Sequence, residues 1–188
     1  MSDALRTAQS IAGFSKNREP LDHYPTPEIA VTNLLKRGTF TGSIWEPCCG
    51  SGNIAKFLSD CYASDIRSDN IYGDGGVDFL QTYRVVDNIV TNPPYSKALE
   101  FVEHALRCSS RKVAMLCKLQ FLEGSKRFYF FKENPPCRIY VFSKRLPLAK
   151  AEDNRKQSSM LAFAWYIWEK NIKTSPVIHW INTDEVQE

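Results

Sequence analysis

The sequence predicts an α/β domain built on a mostly parallel sheet with an antiparallel C-terminal edge. Three observations favour this class. Short apolar strand patterns alternate with amphipathic helical patterns along most of the chain. The last three strand patterns have no helical pattern between them. Glycine, carboxylate and amide residues follow directly after strands, which is where open α/β sheets bind their ligands.

In the N-terminal half, predicted helices alternate with short strands. The first helix is expected to begin at Thr26-Pro27-Glu28, which combines a capping hydroxyl, a proline at the first helical position and an acid in the first turn. It is expected to end before Gly38, where a C-terminal glycine belongs. A strand follows at 43–47, a glycine turn leads into a predicted helix at 53–59, and a second strand follows at 61–64.

In the C-terminal half, the helical patterns stop before the last strands. A strand is predicted at 87–91, and an amphipathic helix at 97–108 carries its apolar residues on one face. A strand at 112–117 and a helix at 121–132 come next. The remaining strands, which complete a set of seven, are predicted at 138–143, 161–168 and 177–181.

Length and composition indicate a single globular domain. The chain has 188 residues, of which 43% are hydrophobic and 24% charged. A chain of this length can bury a hydrophobic core that is stable without disulfides or bound metals. We expect residues 1–20 to form a loose polar arm and residues 21–188 to form one domain. The longest apolar run, 160–168, is much shorter than the roughly 20 residues of a membrane-spanning helix.

The cysteines and the N-terminus predict a cytoplasmic protein without a metal site. The first residues lack a basic start followed by an apolar stretch, so no secretory signal is visible. Six cysteines in such a chain are expected to be reduced thiols. None of them is spaced Cys-x-x-Cys, which disfavours structural zinc.

Charge is unevenly distributed along the chain. Residues 1–95 hold 8 Lys or Arg and 11 Asp or Glu, whereas residues 96–188 hold 16 and 10. The polar stretch 144–159 is long for a hairpin connection. We expect this loop to contact nucleic acid, although a disordered hairpin tip is the alternative. Its cations are Lys144, Arg145, Lys150, Arg155 and Lys156.

A glycine motif follows the first strand. In Glu46-Pro47-Cys48-Cys49-Gly50-Ser51-Gly52, the two glycines and the later Ala55 match the G-x-G-x-x-G/A spacing, in which small residues let a ligand approach the backbone. Asp65 stands at the end of the next strand, where a carboxylate can accept both hydrogens of a ribose diol. Together they predict an adenosine-containing cofactor, either a dinucleotide or S-adenosylmethionine. A tight turn with a purely structural role is the alternative.

The tetrapeptide Asn92-Pro93-Pro94-Tyr95 favours S-adenosylmethionine. Two consecutive prolines stiffen the loop and remove two backbone donors. The Asn92 amide oxygen and the Pro93 carbonyl can then act as two fixed acceptors for an exocyclic amine. An amine held in this way has its lone pair free to attack an electrophilic methyl group. The Tyr95 ring can stack on the planar base that carries the amine.

These motifs resemble those of the Asn-Pro-Pro-Tyr amino-methyltransferase family, specifically the small phage and prophage DNA adenine N6-methyltransferases. The resemblance covers roughly residues 22–181. Two departures stand out: Cys48 and Cys49 lie where many relatives carry small or aromatic residues, and no separate target-recognition domain fits in the chain. The matching segments are 22–27, 46–52, Asp65, 76–79, 92–95, 119–124, 141–148 and 162–168.

The resemblance implies a Rossmann-like, seven-stranded class I methyltransferase sheet and N6 methylation of DNA adenine, as in restriction-modification. It implies no metal, leaves a homodimer open and requires the target base to leave the duplex. The implied catalytic residues are Asn92, Pro93, Pro94 and Tyr95. The implied S-adenosylmethionine-binding residues are Tyr24, Thr26, Glu46, Pro47, Cys48, Gly50, Gly52, Asp65, Ile66, Asp78, Phe79 and Asn92.

Within that set, the family assigns separate roles. Tyr24 and Thr26 close the methionine end of the cofactor site, and Asp65 holds the ribose. Ile66 packs on the adenine ring, while Asp78 accepts from the adenine amino group. With few residues left to read bases, the sequence predicts a short or relaxed recognition sequence.

Several other functions fit parts of the pattern. Cytosine N4, RNA adenine and protein glutamine methyltransferases use related chemistry. A catalytically inactive nucleic-acid-binding module of the same fold is a further alternative, which retention of Asn92, Asp65 and both glycines disfavours. A nicotinamide dehydrogenase would share the glycine motif but has no use for Asn-Pro-Pro-Tyr.

Overall fold

The computed structural model describes residues 25–69, 71–147 and 161–183. Within these ranges the chain forms seven strands and three α-helices. The strands are β1 (Ile44–Glu46), β2 (Cys61–Ala63), β3 (Val86–Thr91), β4 (Ser109–Lys118), β5 (Arg138–Phe142), β6 (Phe163–Glu169) and β7 (Val177–Ile181). The helices are α1 (Glu28–Leu35), α2 (Ala98–Cys108) and α3 (Ser125–Glu133).

The strands form one sheet in the order β2-β1-β3-β4-β6-β5-β7. Strands β2, β1, β3 and β4 pair in parallel, and β6 runs antiparallel to both of its neighbours. The edge strand β7 pairs in parallel with β5. The predicted fold class is confirmed: the sheet is mostly parallel, and its antiparallel pairing lies at the C-terminal edge.

The sheet is covered on both faces, as its apolar strands require. Alternation along β3 sends Ile89 into the core cluster under α2 and Val90 into the cluster under α1. Both side chains are fully buried. On the α1 side, the Trp165 indole Nε1 donates to the Ala30 carbonyl at 2.9 Å, which fixes the helix to β6. Because α1 is tied to the sheet, the loop that precedes it is held close to the carboxyl ends of the strands.

The predicted cap of α1 was wrong: Pro27 rather than Thr26 is its N-cap, and no side chain caps the helix. Two helix predictions were wrong in extent. The segment 53–59 forms only a 3-10 turn at Ala55–Phe57, because the chain must reverse at once into β2 and Asp60 adopts a φ of 53° to do so. The helix expected at 121–132 begins at Ser125. The residue before it, Gly124, has a φ of 111°, so the helix cannot extend backwards.

Candidate active site

A cavity opens where the carboxyl ends of β1, β2 and β3 meet, and it gathers residues from the N-terminal motif, the glycine motif, the segment around Asp65, the segment 76–79 and the proline loop. Polar and apolar groups both face it, which suits a ligand with charged and planar parts. Among the predicted cofactor-binding residues, those that line the cavity are Thr26, Glu46, Pro47, Cys48, Gly50, Asp65, Ile66, Asp78, Phe79 and Asn92. Gly52 is not among the lining residues, and Tyr24 lies outside the described residues.

The glycine loop after β1 is held by the buried carboxyl group of Glu46. Its Oε2 accepts from the Ala55 backbone N–H at 2.6 Å, which closes the loop onto the following turn. Burial raises the pKa of Glu46 well above its ordinary value, against the lowering effect of that hydrogen bond and with a further rise from the charge of Asp65. Gly52 has a φ of 80°, and a Cβ there would lie 2.4 Å from Cγ of Tyr72, so this position requires glycine.

Asp65 is only 6% exposed, and its carboxylate accepts four hydrogen bonds from the chain itself. Oδ2 accepts from the Gly50 N–H at 2.9 Å and from Arg67 Nη2 at 3.2 Å. Oδ1 accepts from the backbone N–H and from Nε of Arg67, both at 3.0 Å. Burial alone would raise the pKa of Asp65, but the Arg67 guanidinium and the backbone donors outweigh it and hold the pKa below its usual value.

Arg67 is therefore a site residue that sequence reasoning missed. It lines the cavity and forms an ion pair with Asp65. A cation two residues after the carboxylate that is predicted to bind ribose is the signal that could have revealed it. A carboxylate has about four acceptor sites, so Arg67 and Gly50 together occupy the full capacity of Asp65.

The far end of the cavity contains the predicted adenine-contacting residues. Ile66 is 49% exposed and lines the cavity, so its side chain is available to a planar ring. Oδ1 of Asp78 accepts from the Leu80 N–H at 3.0 Å and caps a short 3-10 turn. Phe79 is 1% exposed, and its ring packs edge-on against Trp45. Its role in the present arrangement is therefore mainly to form the buried wall behind the cavity.

Asn92 faces the cavity from the loop after β3, and its side chain bonds to the N-terminal motif. Asn92 Nδ2 donates to Thr26 Oγ1 at 3.1 Å, and Thr26 is 4% exposed. Pro94 also lines the cavity. Beside these residues, burial raises the pKa of the Cys48 thiol, with a smaller rise from the charge of Asp65, so this thiol stays protonated at neutral pH.

Tyr95 lies beside the cavity and is not among its lining residues. Its ring centroid is 5.4 Å from that of Phe163, and Lys118 Nζ lies 4.4 Å from the ring centroid. Lys118 ends β4, so Tyr95 occupies the neighbouring position along the carboxyl edge of the sheet. Pro93, the other predicted catalytic residue that does not line the cavity, is buried.

Two of the predicted nucleic-acid-binding cations can be placed. Lys144 and Arg145 are exposed and follow β5, whose carboxyl end lies at the same edge of the sheet as the cavity. Lys150, Arg155 and Lys156 lie outside the described residues.

Within the described ranges, no group of three or more potential metal ligands occurs. No helix in the part of the chain that the structure describes is long and apolar enough to cross a membrane.

The solved structures that resemble this chain include proteins named as methyltransferases, a restriction-enzyme modification subunit and two proteins named as proposed hemolysins. A proposed modification subunit of a type I restriction enzyme from Vibrio vulnificus YJ016 matches with a TM-score of 0.62 and 15% identity, over 98% of this chain and 51% of that one. A proposed RNA methyltransferase from Pyrococcus horikoshii matches with a TM-score of 0.58 and 17% identity, over 92% of this chain and 100% of that one. A proposed class I S-adenosylmethionine-dependent methyltransferase from Listeria monocytogenes matches with a TM-score of 0.58 and 16% identity, over 99% of this chain and 73% of that one.

These similarities define the fold as that of class I methyltransferases. The chain spans about half the length of the Vibrio subunit. Scans against protein-family models and against curated proteins give no match.

Proposed function

We propose that this protein transfers a methyl group from S-adenosylmethionine to the N6 amine of adenine in DNA. The observation that carries the proposal is the convergence of Asn92 and Pro94 with the glycine loop and Asp65 on one cavity. A nucleotide-type cofactor site and an amide-bearing proline loop are thereby within reach of one another. This arrangement suits methylation of an amine on a planar ring.

The glycine loop and its carboxylates form the cofactor side of the proposed site. Gly50 has a φ of 50° and brings bare backbone to the cavity wall, where the methionine part of the cofactor would lie. Asp65 would accept from the ribose hydroxyls, and Ile66 and Asp78 would contact the adenine. When bound, S-adenosylmethionine supplies a methyl group made electrophilic by its sulfonium.

The proline loop forms the substrate side. The Asn92 amide oxygen and the Pro93 carbonyl would each accept one hydrogen of the target amine, which directs the nitrogen lone pair at the methyl carbon. The new C–N bond forms as the C–S bond breaks, and one amine proton then leaves to solvent. Fixed dipoles of this kind act without reorganisation and contribute strongly to rate. The base would stack on Tyr95 after leaving the duplex.

Nucleic acid is the favoured substrate because cations follow two of the strands at this edge of the sheet. Lys118 ends β4 next to Tyr95, and exposed Lys144 and Arg145 follow β5. The name of the Vibrio subunit, a component of a restriction enzyme, favours DNA. Exposed cations suit phosphates more than base edges, so we propose a short or relaxed recognition sequence. The full-length match to the Pyrococcus protein makes adenine in RNA the second candidate.

A labelled-methyl assay tests the proposal. The protein is incubated with S-adenosylmethionine carrying a labelled methyl group and with duplex DNA, single-stranded DNA, tRNA or bulk protein, and the products are hydrolysed and analysed. We expect N6-methyldeoxyadenosine, and we expect its loss in Asn92→Ala. Label in N4-methylcytosine, in RNA or in glutamine would instead identify one of the alternatives, and no transfer to any acceptor would reject the proposed activity.

A further inference from the structure

We infer that Thr26 is a positioning residue that sets the orientation of the Asn92 side-chain amide. The inference rests on the proposed function and adds a role for Thr26 beyond contact with the cofactor. It is carried by the hydrogen bond from Asn92 Nδ2 to Thr26 Oγ1, which is 3.1 Å long and joins positions 66 residues apart. Both residues line the same cavity.

The orientation matters because the two ends of an amide have opposite hydrogen-bonding character. The oxygen accepts hydrogen bonds, whereas the NH₂ group only donates. In the proposed reaction, Asn92 must present its oxygen to an amine that is itself a donor. If the amide rotated by half a turn, two donors would face each other. A hydroxyl that accepts from Nδ2 leaves the oxygen as the end that can face the substrate.

Thr26 is well held for such a role. It is 4% exposed and lies between Pro25 and Pro27, each of which has a restricted φ. Pro27 is the N-cap of α1 and has a φ of −63° and a ψ of 140°. The helix is in turn tied to the sheet through the hydrogen bond between Trp165 and Ala30. The position of the hydroxyl is thus fixed by the packing of α1 rather than by the catalytic loop itself.

The distance along the chain explains why this hydrogen bond could not be predicted from the sequence. The N-terminal motif and the proline loop are separated along the chain by α1, β1, β2 and β3. They meet because α1 packs on the sheet. The family resemblance assigns Thr26 to the methionine end of the cofactor. The observed hydrogen bond places its hydroxyl on the amide that would hold the target amine.

The test compares Thr26→Val, which removes the hydroxyl at nearly constant shape, with Thr26→Ser, which keeps it. Each variant is measured for melting temperature, cofactor Kd and single-turnover methyl transfer at saturating cofactor and DNA. We expect Thr26→Val to slow transfer by about 3- to 10-fold, the effect of losing one neutral hydrogen bond. Thr26→Ser should keep most of the rate. In an Asn92→Ala background, Thr26→Val should cause no further loss.

A second readout does not depend on activity. The side-chain NH₂ signals of Asn92 in a ¹H–¹⁵N NMR spectrum can be assigned by their disappearance in Asn92→Ala. We expect them to shift in Thr26→Val and to stay nearly in place in Thr26→Ser. If Thr26→Val does not fold, Thr26→Ala serves as the hydroxyl-free variant in both measurements.

Each outcome decides the inference separately from the proposed function. Unchanged Asn92 signals in the hydroxyl-free variant overturn it, whether or not the protein methylates DNA. A weaker cofactor Kd with normal single-turnover rate at saturation also overturns it, because Thr26 would then serve the cofactor only. If the wild type transfers no methyl group, the proposed function fails while the NMR comparison still decides whether Thr26 orients Asn92.

Discussion

Replacing Arg67 by alanine should tighten cofactor binding, although Arg67 lines the proposed cofactor cavity. Asp65 accepts from the Gly50 N–H, the Arg67 N–H and two nitrogens of the Arg67 guanidinium. A ribose diol needs two of these acceptor positions. The backbone donors are fixed by their loops, whereas the Arg67 side chain is 22% exposed and can move into solvent. The ribose would therefore compete with this guanidinium for Asp65.

The size of the effect follows from the strength of the displaced interaction. Exposed ion pairs contribute up to about 1 kcal/mol, and hydrogen bonds to buried charged groups contribute about 1.5–3 kcal/mol. The pair of Asp65 and Arg67, with side-chain exposures of 8% and 22%, falls between these cases. We therefore take about 1–2 kcal/mol, which corresponds to a roughly 5- to 30-fold lower Kd for S-adenosylmethionine in Arg67→Ala.

Isothermal titration calorimetry measures this change directly. Arg84→Ala is the matched control, because its guanidinium lies 3.8 Å from the Tyr62 ring centroid and is not among the groups that line the cavity. The free energy of unfolding of cofactor-free Arg67→Ala should fall by a similar 1–2 kcal/mol, roughly the strength of the ion pair that is removed. An unchanged or weaker cofactor affinity in Arg67→Ala would refute the competition and show that Arg67 itself contributes to cofactor binding.

Four further predictions concern the remaining parts of the site. Asn92→Ala should keep cofactor Kd near the wild-type value but lower the transfer rate by about 10²–10³; a wild-type rate would contradict the mechanism. Tyr95→Ala should weaken substrate binding by roughly 1–3 kcal/mol, whereas Tyr95→Phe should keep most activity; equal losses in both would point to the hydroxyl. Replacing Lys144 and Arg145 by glutamine should flatten the salt dependence of DNA binding by roughly 0.7–0.9 for each phosphate that is no longer neutralised, and an unchanged slope would place the DNA elsewhere. Because the pKa of Glu46 is raised, the unfolding free energy of the wild type should fall as pH rises above about 4.5 towards the folded-state pKa, while Glu46→Gln should show a flatter profile; parallel profiles in denaturant titrations would contradict this.

Most strands and helices could be located along the chain because their positions depend on local sequence patterns. The strand predicted at 177–181 coincides with β7, since its apolar run is bounded by polar segments. The helix predicted at 97–108 begins one residue later than expected, at Ala98, and ends where predicted. The helix predicted after the glycine motif is only a 3-10 turn, because the few residues there must also connect to β2. The length of the connection, and not the helix propensity of these residues, decides the structure.

The cavity residues could be predicted as a set, but their partners could not. Glycines, Asp65 and Asn92 can be recognised by residue type and by position after strands. The bonds from Arg67 to Asp65 and from Asn92 to Thr26 depend on side-chain directions that no periodicity encodes. Tyr95 was expected to face the substrate. Its ring packs against Phe163, a contact between distant parts of the chain that a local sequence pattern does not encode.

Glu46 and Asp65, the two carboxylates that hold the glycine loop, are both hydrogen-bonded to the chain in the absence of a ligand. Glu46 and Asp65 both accept from backbone N–H groups of the same loop, at Ala55 and Gly50 respectively. Their environments nevertheless shift their pKa values in opposite directions: burial favours the neutral form of Glu46, and Arg67 favours the charged form of Asp65. The charge of Asp65 is paired with the guanidinium of Arg67 in the absence of a ligand. The loop is held in shape without a ligand because the chain itself occupies the acceptor sites of Asp65. In the proposed function, a ribose that binds Asp65 would therefore replace existing hydrogen-bond partners.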